Sequence, residues 1–138
     1  MAKAESGLRG RVVKILTKMG LDAMAVENPA KPGTPDINYI GGWIECKKTS
    51  KWPKREETIV KLDHELMSSQ KLWIRRRSKA GGKVFVLVQV DHYFLIFDGL
   101  WAVNNLGRKT RQELEDGSLF CVSGWSSLEY ALKQCLNP

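Results

Sequence analysis

The chain has 138 residues, 43% of them hydrophobic and 27% charged, and a formal net charge of +7. This length fits one domain with one core and is too short for two, and the composition excludes a disordered chain. No apolar run reaches the length of a membrane span, and the first residues contain no apolar signal core. We therefore expect a cytoplasmic protein, neither secreted nor membrane-bound, with a polyanion as its partner.

The first predicted elements are a helix and a short strand. Apolar residues recur with helical spacing at Leu8, Val12, Ile15, Leu16 and Met19. Basic residues take the other sides of this helix, at Arg9, Arg11, Lys14 and Lys18. Gly20 follows as a left-handed cap, and residues 22–27 predict a short strand that leads into a loop over residues 28–34.

Residues 35–47 predict a β-hairpin. Gly41-Gly42 suits a two-residue type I′ turn, because glycine adopts positive φ without steric cost. A turn there places Asp36 opposite Lys47 and Asn38 opposite Glu45. Since strand side chains alternate, one face carries Asp36, Asn38, Glu45 and Lys47. The other face carries Ile37, Tyr39, Ile44 and Cys46.

The polar face of this hairpin has the chemistry of a metal site. Two carboxylates about 4 Å apart repel each other by about 4 kcal/mol at an effective dielectric of 20, and a bound cation turns that repulsion into attraction. Asp36 and Glu45 could hold such a cation, while Lys47 steers a water at a phosphodiester. In a basic chain this arrangement suggests a nuclease. A surface hairpin with a cross-strand Asp36–Lys47 pair explains the spacing equally well.

The rest of the chain predicts further helices and strands. Residues 49–66 form a polar connection, partly helical or ordered on nucleic acid. A second helix begins near Ser68 or Ser69 and runs to about residue 79. Strands are predicted over 84–90, 93–97 and 119–122, a loop over 98–107, a helical turn over 111–115, and a last helix over 126–136, opened by a capping box of Ser126 and Glu129.

The motif residues resemble those of a known nuclease superfamily. Pro35-Asp36, Glu45-Cys46-Lys47 and the downstream Gln70 are similar to the PD-(D/E)xK signature, above all in its VRR-Nuc branch and the related Holliday-junction resolvases. The resemblance covers roughly residues 4–97 of one domain over 1–138, and leaves 98–138 as an extension. It implies a restriction-endonuclease-like α/β core, with a mixed central sheet flanked by helices.

The resemblance also implies an activity: a Mg²⁺-dependent DNA endonuclease, with Mn²⁺ able to substitute. The expected substrate is branched DNA such as a Holliday junction, in recombination or repair, and the expected assembly is a homodimer. A protein of this description would suit the cytoplasm of a bacterial or phage-infected cell. Three rivals remain: a flap or duplex nuclease of the same fold, a non-catalytic nucleic-acid-binding module, and a basic structural subunit of a larger machine.

Further site residues follow from the same resemblance. The Cys46 backbone carbonyl would be a third metal ligand, Glu5 would lean toward the metal, and Gln70 would contact the attacking water or the phosphate. Glu5 could also be simply an acid at a helix N-terminus, and Gln70 an exposed glutamine. The charge of the chain, and not the resemblance, gives the expected DNA-binding residues, which would supply salt-sensitive phosphate contacts: Arg9, Lys31, Lys48, Arg75, Arg76 and Arg77. For the run of three arginines, the alternative is an ordinary solvated helix surface.

Two other residue types give expectations. Cys46, Cys121 and Cys135 are odd in number and lack metal-site spacing, so they predict reduced core thiols. Trp52 and Trp101 fall in predicted loops and could stack on unpaired bases. The other tryptophans are expected to pack.

Overall fold

The computed structural model describes residues 3–27 and 32–136, with the side chains of residues 3–6 left out of the description. Within these ranges the protein is a mixed α/β domain with one six-stranded sheet and five helices. In chain order the elements are α1 (Lys3–Lys18), β1 (Met24–Ala25), β2 (Ile37–Tyr39), β3 (Gly42–Thr49), α2 (Ser68–Lys79), β4 (Lys83–Val90), β5 (Tyr93–Asp98), α3 (Gly99–Asn105), α4 (Arg111–Gly117), β6 (Phe120–Ser123) and α5 (Trp125–Leu136).

The strands follow their chain order across the sheet. All neighbours are antiparallel except β3 and β4, which are parallel and joined by α2. A parallel pair needs such a crossover, because the chain must return to the starting end of the sheet. The two longest strands, β3 and β4, therefore lie side by side in the interior of the sheet.

The sheet separates two hydrophobic clusters. On one face α1 and α5 pack, through residues such as Val12, Leu16 and Leu128, against Ile44 and Leu87. The other face carries α2, α3, α4 and the connection before α2, whose buried residues include Ile74, Ala102 and Leu114. Alternation along β4 explains the division, since Val84, Val86, Val88 and Val90 all face the second cluster.

The helix-and-strand predictions are largely confirmed for the first half of the chain. Helix α1 ends as expected, with Gly20 at φ +79°. Helix α2 has Met67 as its N-cap residue and not Ser68 or Ser69. The connection over residues 49–66, all of it described, contains no helix. It is held instead by three buried side chains, those of Val60, Leu62 and Leu66.

The segment after residue 97 is built into the same domain. The predicted loop over 98–107 is wrong, because residues 99–105 form α3 and the Asp98 carboxylate caps it by accepting from the Leu100 and Trp101 N–H groups. Helix α5 begins at Trp125, one residue before the predicted start. Strand β6 extends the sheet and α5 covers it, so this segment shares both clusters with the rest of the chain.

The cysteines differ in their surroundings. Cys46 is buried in the first cluster, Cys135 is half-buried and Cys121 is exposed on β6. The prediction of three core thiols is therefore wrong for Cys121. Burial raises the pKa of Cys135 to about 11.

Over residues 3–27 and 32–136, no helix has both the length and the apolar character that a membrane crossing needs.

Candidate active site

The predicted hairpin forms, with a different register. Its partners are Ile37 with Ile44 and Tyr39 with Gly42, so Ile40 and Gly41 make the turn. Neither glycine has positive φ, and the predicted type I′ turn is wrong. Gly42 is required instead by the close packing of β3 against β4. A Cβ there would lie 2.4 Å from the Lys83 carbonyl oxygen in β4.

The new register keeps the predicted faces. Each position shifts by an even number of residues, so Asn38, Trp43, Glu45 and Lys47 share one face. The predicted pairs Asp36–Lys47 and Asn38–Glu45 are wrong. Asn38 lies opposite Trp43, and one further step in the same register places Asp36 opposite Glu45. The Asp36 side chain reaches β3 next to Glu45, since its Oδ2 accepts from the Cys46 N–H.

Asp36 is fixed from both sides. Its carbonyl oxygen accepts from the Val26 N–H at 2.8 Å, and its Oδ2 accepts from the Cys46 N–H at 2.9 Å. Pro35 precedes it and has no N–H to donate, which ends the ladder at this point. Because the N–H and C=O of one residue in an extended strand point to the same edge, the Cys46 carbonyl also faces Asp36.

Glu45 and Lys47 are charged side chains inside the protein. They are 3% and 4% exposed, and their partners in β4 are the buried Val86 and Val88. The Lys47 Nζ lies 3.6 Å from the Glu45 Oε2. Charges in such surroundings need both a counter-ion and hydrogen bonds. This pair is the most unusual feature of the second cluster.

Gln70 links the pair to helix α2. Its Nε2 donates to the Glu45 Oε2 at 3.0 Å, and its Oε1 accepts from the Met67 N–H at 2.8 Å. The Gln70 side chain therefore gives the Met67 N–H at the start of α2 a hydrogen-bond acceptor, and it also orients the Glu45 carboxylate. Gln70 was predicted to contact water or phosphate, and the structure places it against Glu45.

The loop before the motif packs on the start of α2. Gly33 has φ +91°, and a Cβ there would lie 2.2 Å from the Ser69 carbonyl oxygen. Only glycine allows so close an approach in this conformation. The contact holds the chain that enters Asp36 beside the turn of helix that carries Gln70.

The predicted DNA-binding residues do not form one cluster. Arg75, Arg76 and Arg77 are exposed on α2. Lys48 follows Lys47 and so lies on the opposite face of β3. Arg9 pairs with Glu27 on α1's side of the sheet, with 3.7 Å between Nη2 and Oε1. Lys31 lies outside the described residues. The Glu5 backbone belongs to α1, but its side chain is outside the description.

An aromatic and cationic cluster adjoins the site and was not predicted as a unit. Trp43 contacts Trp73 edge-on, with ring centroids 5.0 Å apart. The Arg77 guanidinium lies 4.6 Å from the Trp73 ring and 5.6 Å from the Trp43 ring. The signal was present in the spacing, since Trp43 has the parity of Glu45 and residues 73 and 77 share a helix face.

Trp52 and Trp101 are partly buried and pack against the second cluster. The expected loop position is confirmed for Trp52 and wrong for Trp101. Trp101 lies in α3 and stacks on Phe97, with centroids 5.1 Å apart. Trp52 packs against Tyr93 at 6.2 Å, and the Arg111 guanidinium covers its ring at 4.5 Å.

The donor atoms at the site suit a hard cation. Among the side chains of residues 7–27 and 32–136, no three His, Cys, Asp or Glu residues form a metal-binding group. The predicted set differs, since it combines the Asp36 and Glu45 carboxylates with one backbone carbonyl. Oxygen donors of this kind are those that Mg²⁺ and Mn²⁺ prefer.

Comparison with models of known protein families finds no match, and comparison with curated proteins finds none either.

Proposed function

We propose that this protein is a metal-dependent DNA endonuclease with a PD-(D/E)xK site in a restriction-endonuclease-like core. The observation that carries the proposal is the buried Glu45–Lys47 pair on a central strand, with the Asp36 carboxylate held at the neighbouring Cys46 N–H. The motif residues and the net charge of +7 add to it. The reaction is hydrolysis of a phosphodiester: a water oxygen bonds to phosphorus, one ester P–O bond breaks, and the departing oxygen takes up a proton.

Stability alone does not account for these charges. A buried ion pair is often no more stabilising than apolar side chains of similar volume, because desolvation offsets the attraction. Positions beside Val86 and Val88 would hold apolar residues in an ordinary sheet. Charged groups held in such places are typical of sites that do chemistry.

Asp36, Glu45 and the Cys46 carbonyl would hold Mg²⁺ or Mn²⁺. When bound, the cation supplies Lewis-acid activation of water and neutralises charge at the phosphate. Lys47 would orient the attacking water and stabilise the charge that develops on the phosphate oxygens. Gln70 keeps the Glu45 carboxylate in place and is a positioning residue.

Branched DNA, a Holliday junction in particular, is the proposed substrate. Resolving a four-way junction requires two cuts, and a two-fold symmetric homodimer would supply two sites. Light scattering of the protein with and without a junction tests the dimer. Cutting of flaps or linear duplex in preference to junctions would place the enzyme among the other nucleases of this fold.

One observation favours a second candidate, a DNA-binding module without catalysis. Glu45 already has Lys47 as a counter-ion and Gln70 as a donor, so its charge is compensated within the chain. A module of this kind would keep the site only for its shape. The two candidates differ in whether any DNA is cut.

Labelled four-way, flap and linear DNA separate the candidates. Wild type should cut at least one of them in Mg²⁺ or Mn²⁺ and none in EDTA, and Asp36→Asn should abolish cutting while binding in EDTA stays unchanged. Asp91→Asn is the matched control, because Asp91 is exposed in the β4–β5 turn, where its φ of 55° suits asparagine. If wild type and Asp36→Asn bind alike and neither cuts, the protein is the binding module.

A further inference from the structure

A groove of about 500 Å³ runs between α1 and α5. It lies on the face of the sheet opposite the candidate active site, because its floor residues Ile15 and Trp125 pack against the first cluster. The groove is lined by Arg11, Lys14, Ile15, Lys18, Trp125, Ser126 and Glu129. None of these residues has a part in the proposed catalysis.

The lining is strongly basic. Arg11, Lys14 and Lys18 follow one another at helical spacing along one side of α1, and all three are exposed. Glu129 is the single acid of the lining, with its Oε1 3.7 Å from the Lys18 Nζ. At a rise of about 1.5 Å per residue, the row of three cations extends over roughly 10 Å. Such a row fits an extended polyanion better than a single small anion.

Trp125 holds one of these cations in place. The Arg11 guanidinium lies 3.9 Å from the centre of the Trp125 ring, and the ring in turn packs against Phe94 with centroids 4.7 Å apart. Within the described part of the chain, Arg11 has no ion pair with a carboxylate. A stacked guanidinium keeps its in-plane N–H groups available, and these match phosphate oxygens in pairs.

We propose that the α1–α5 groove binds the phosphate backbone of DNA, at a segment other than the one at the candidate active site. Successive phosphates of one strand rise about 3.4 Å along the duplex axis, so a row of about 10 Å spans roughly three of them. Two contact surfaces on opposite faces of one sheet would let the protein hold two arms of a branched substrate. The inference rests on DNA being the ligand of the proposed function, and does not require cleavage.

The test is the salt dependence of binding to a labelled four-way junction in EDTA. Each phosphate contact contributes about 0.9 to the slope of log affinity against log salt. The variant Arg11→Ala/Lys14→Ala/Lys18→Ala should therefore lose about 2–3 units of slope. The control is Lys83→Ala/Lys133→Ala, which removes two exposed cations that line neither the groove nor the candidate active site.

The control should keep the wild-type slope, and circular dichroism should show both variants folded. An unchanged slope in the groove variant, or an equal loss in the control, would overturn the assignment. Arg11→Lys keeps the charge and loses the flat, paired donors, so it should weaken binding with little change in slope. Wild-type cleavage in Mg²⁺ is measured separately. If the groove does not bind DNA, the wild-type protein can still cleave it, and only the groove proposal fails. If the wild-type protein does not cleave DNA, the binding measurement still tests the groove.

Discussion

The Lys47 ammonium lies 3.6 Å from the Glu45 carboxylate, and both side chains are almost completely buried in the middle of the sheet. They are two residues apart on β3, so they project from the same face. On the β4 side, only Val86 and Val88 lie beside them. Each charge is therefore tolerated because the other is present, together with Gln70.

Removing one member of this pair should destabilise the protein strongly. Lys47→Met leaves Glu45 buried without its counter-ion, and we expect a loss of about 3–5 kcal/mol in the free energy of unfolding. Glu45→Gln/Lys47→Met removes both charges and should recover most of that loss. Urea unfolding of the single variants and the double variant measures the effect. Equal stability of Lys47→Met and wild type would contradict the burial of the pair.

The same variants separate stability from activity. If the charges exist for catalysis, the double variant should fold well and cut no DNA. Cleavage of DNA by the double variant would show that neither Glu45 nor Lys47 is needed for the reaction.

Gln70 should affect the rate of cleavage more than the fold. Gln70→Ala removes the donor at the Glu45 Oε2 and the acceptor for the Met67 N–H. Losing a group that orients a metal ligand typically costs about 10–100-fold in metal affinity or activity. We expect a fall of that size in the single-turnover rate, with a higher Mg²⁺ requirement. Gln89→Ala is the control, because it removes a half-buried glutamine on β4 whose Nε2 donates to the Asp91 carbonyl oxygen.

The pH dependence of stability should reveal Tyr39, which is buried in the first cluster. Burial raises the pKa of Tyr39 to about 12, from the usual tyrosine value of about 10. The folded state holds the phenol proton more tightly than the unfolded state does. The raised pKa of Tyr39 therefore adds to the free energy of unfolding. This stabilisation is fully present below about pH 10 and is lost as the pH rises through about 12. Urea unfolding between these values should show the decline, and Tyr39→Phe should make it shallower.

The sequence predicts the faces of the hairpin because they depend only on the alternation of side chains. The faces survive the wrong register, since an even shift leaves each residue on its own side. Burial of Lys47 could not be predicted in the same way. It results from α2 and the connection before it closing over β3, and nothing near Lys47 in the chain signals that cover.

Helix α3 was predicted as a loop, for a different reason. Asp98 caps the helix, and an Asp before an apolar stretch is a start signal that the sequence contained. Gly99 favoured a loop instead. The structure requires glycine there for packing, because a Cβ would lie 2.8 Å from the Val84 carbonyl oxygen and 2.9 Å from the Ile74 side chain.

The register of the hairpin gives the last prediction. If Gly42 is needed for its approach to Lys83 and not for the turn, Gly42→Ala should push β3 away from β4 and destabilise the protein. Gly10→Ala is the matched control, because Gly10 lies within α1 with no other atom within 4 Å of its added Cβ. That variant should gain about 0.5–1 kcal/mol from helix propensity. Thermal unfolding measures both, and Gly41→Ala adds a second comparison at a turn position where the nearest atom is a Tyr39 ring carbon at 3.1 Å. A milder effect at Gly42 than at Gly41 would contradict the observed register, and with it the placement of Asp36 opposite Glu45.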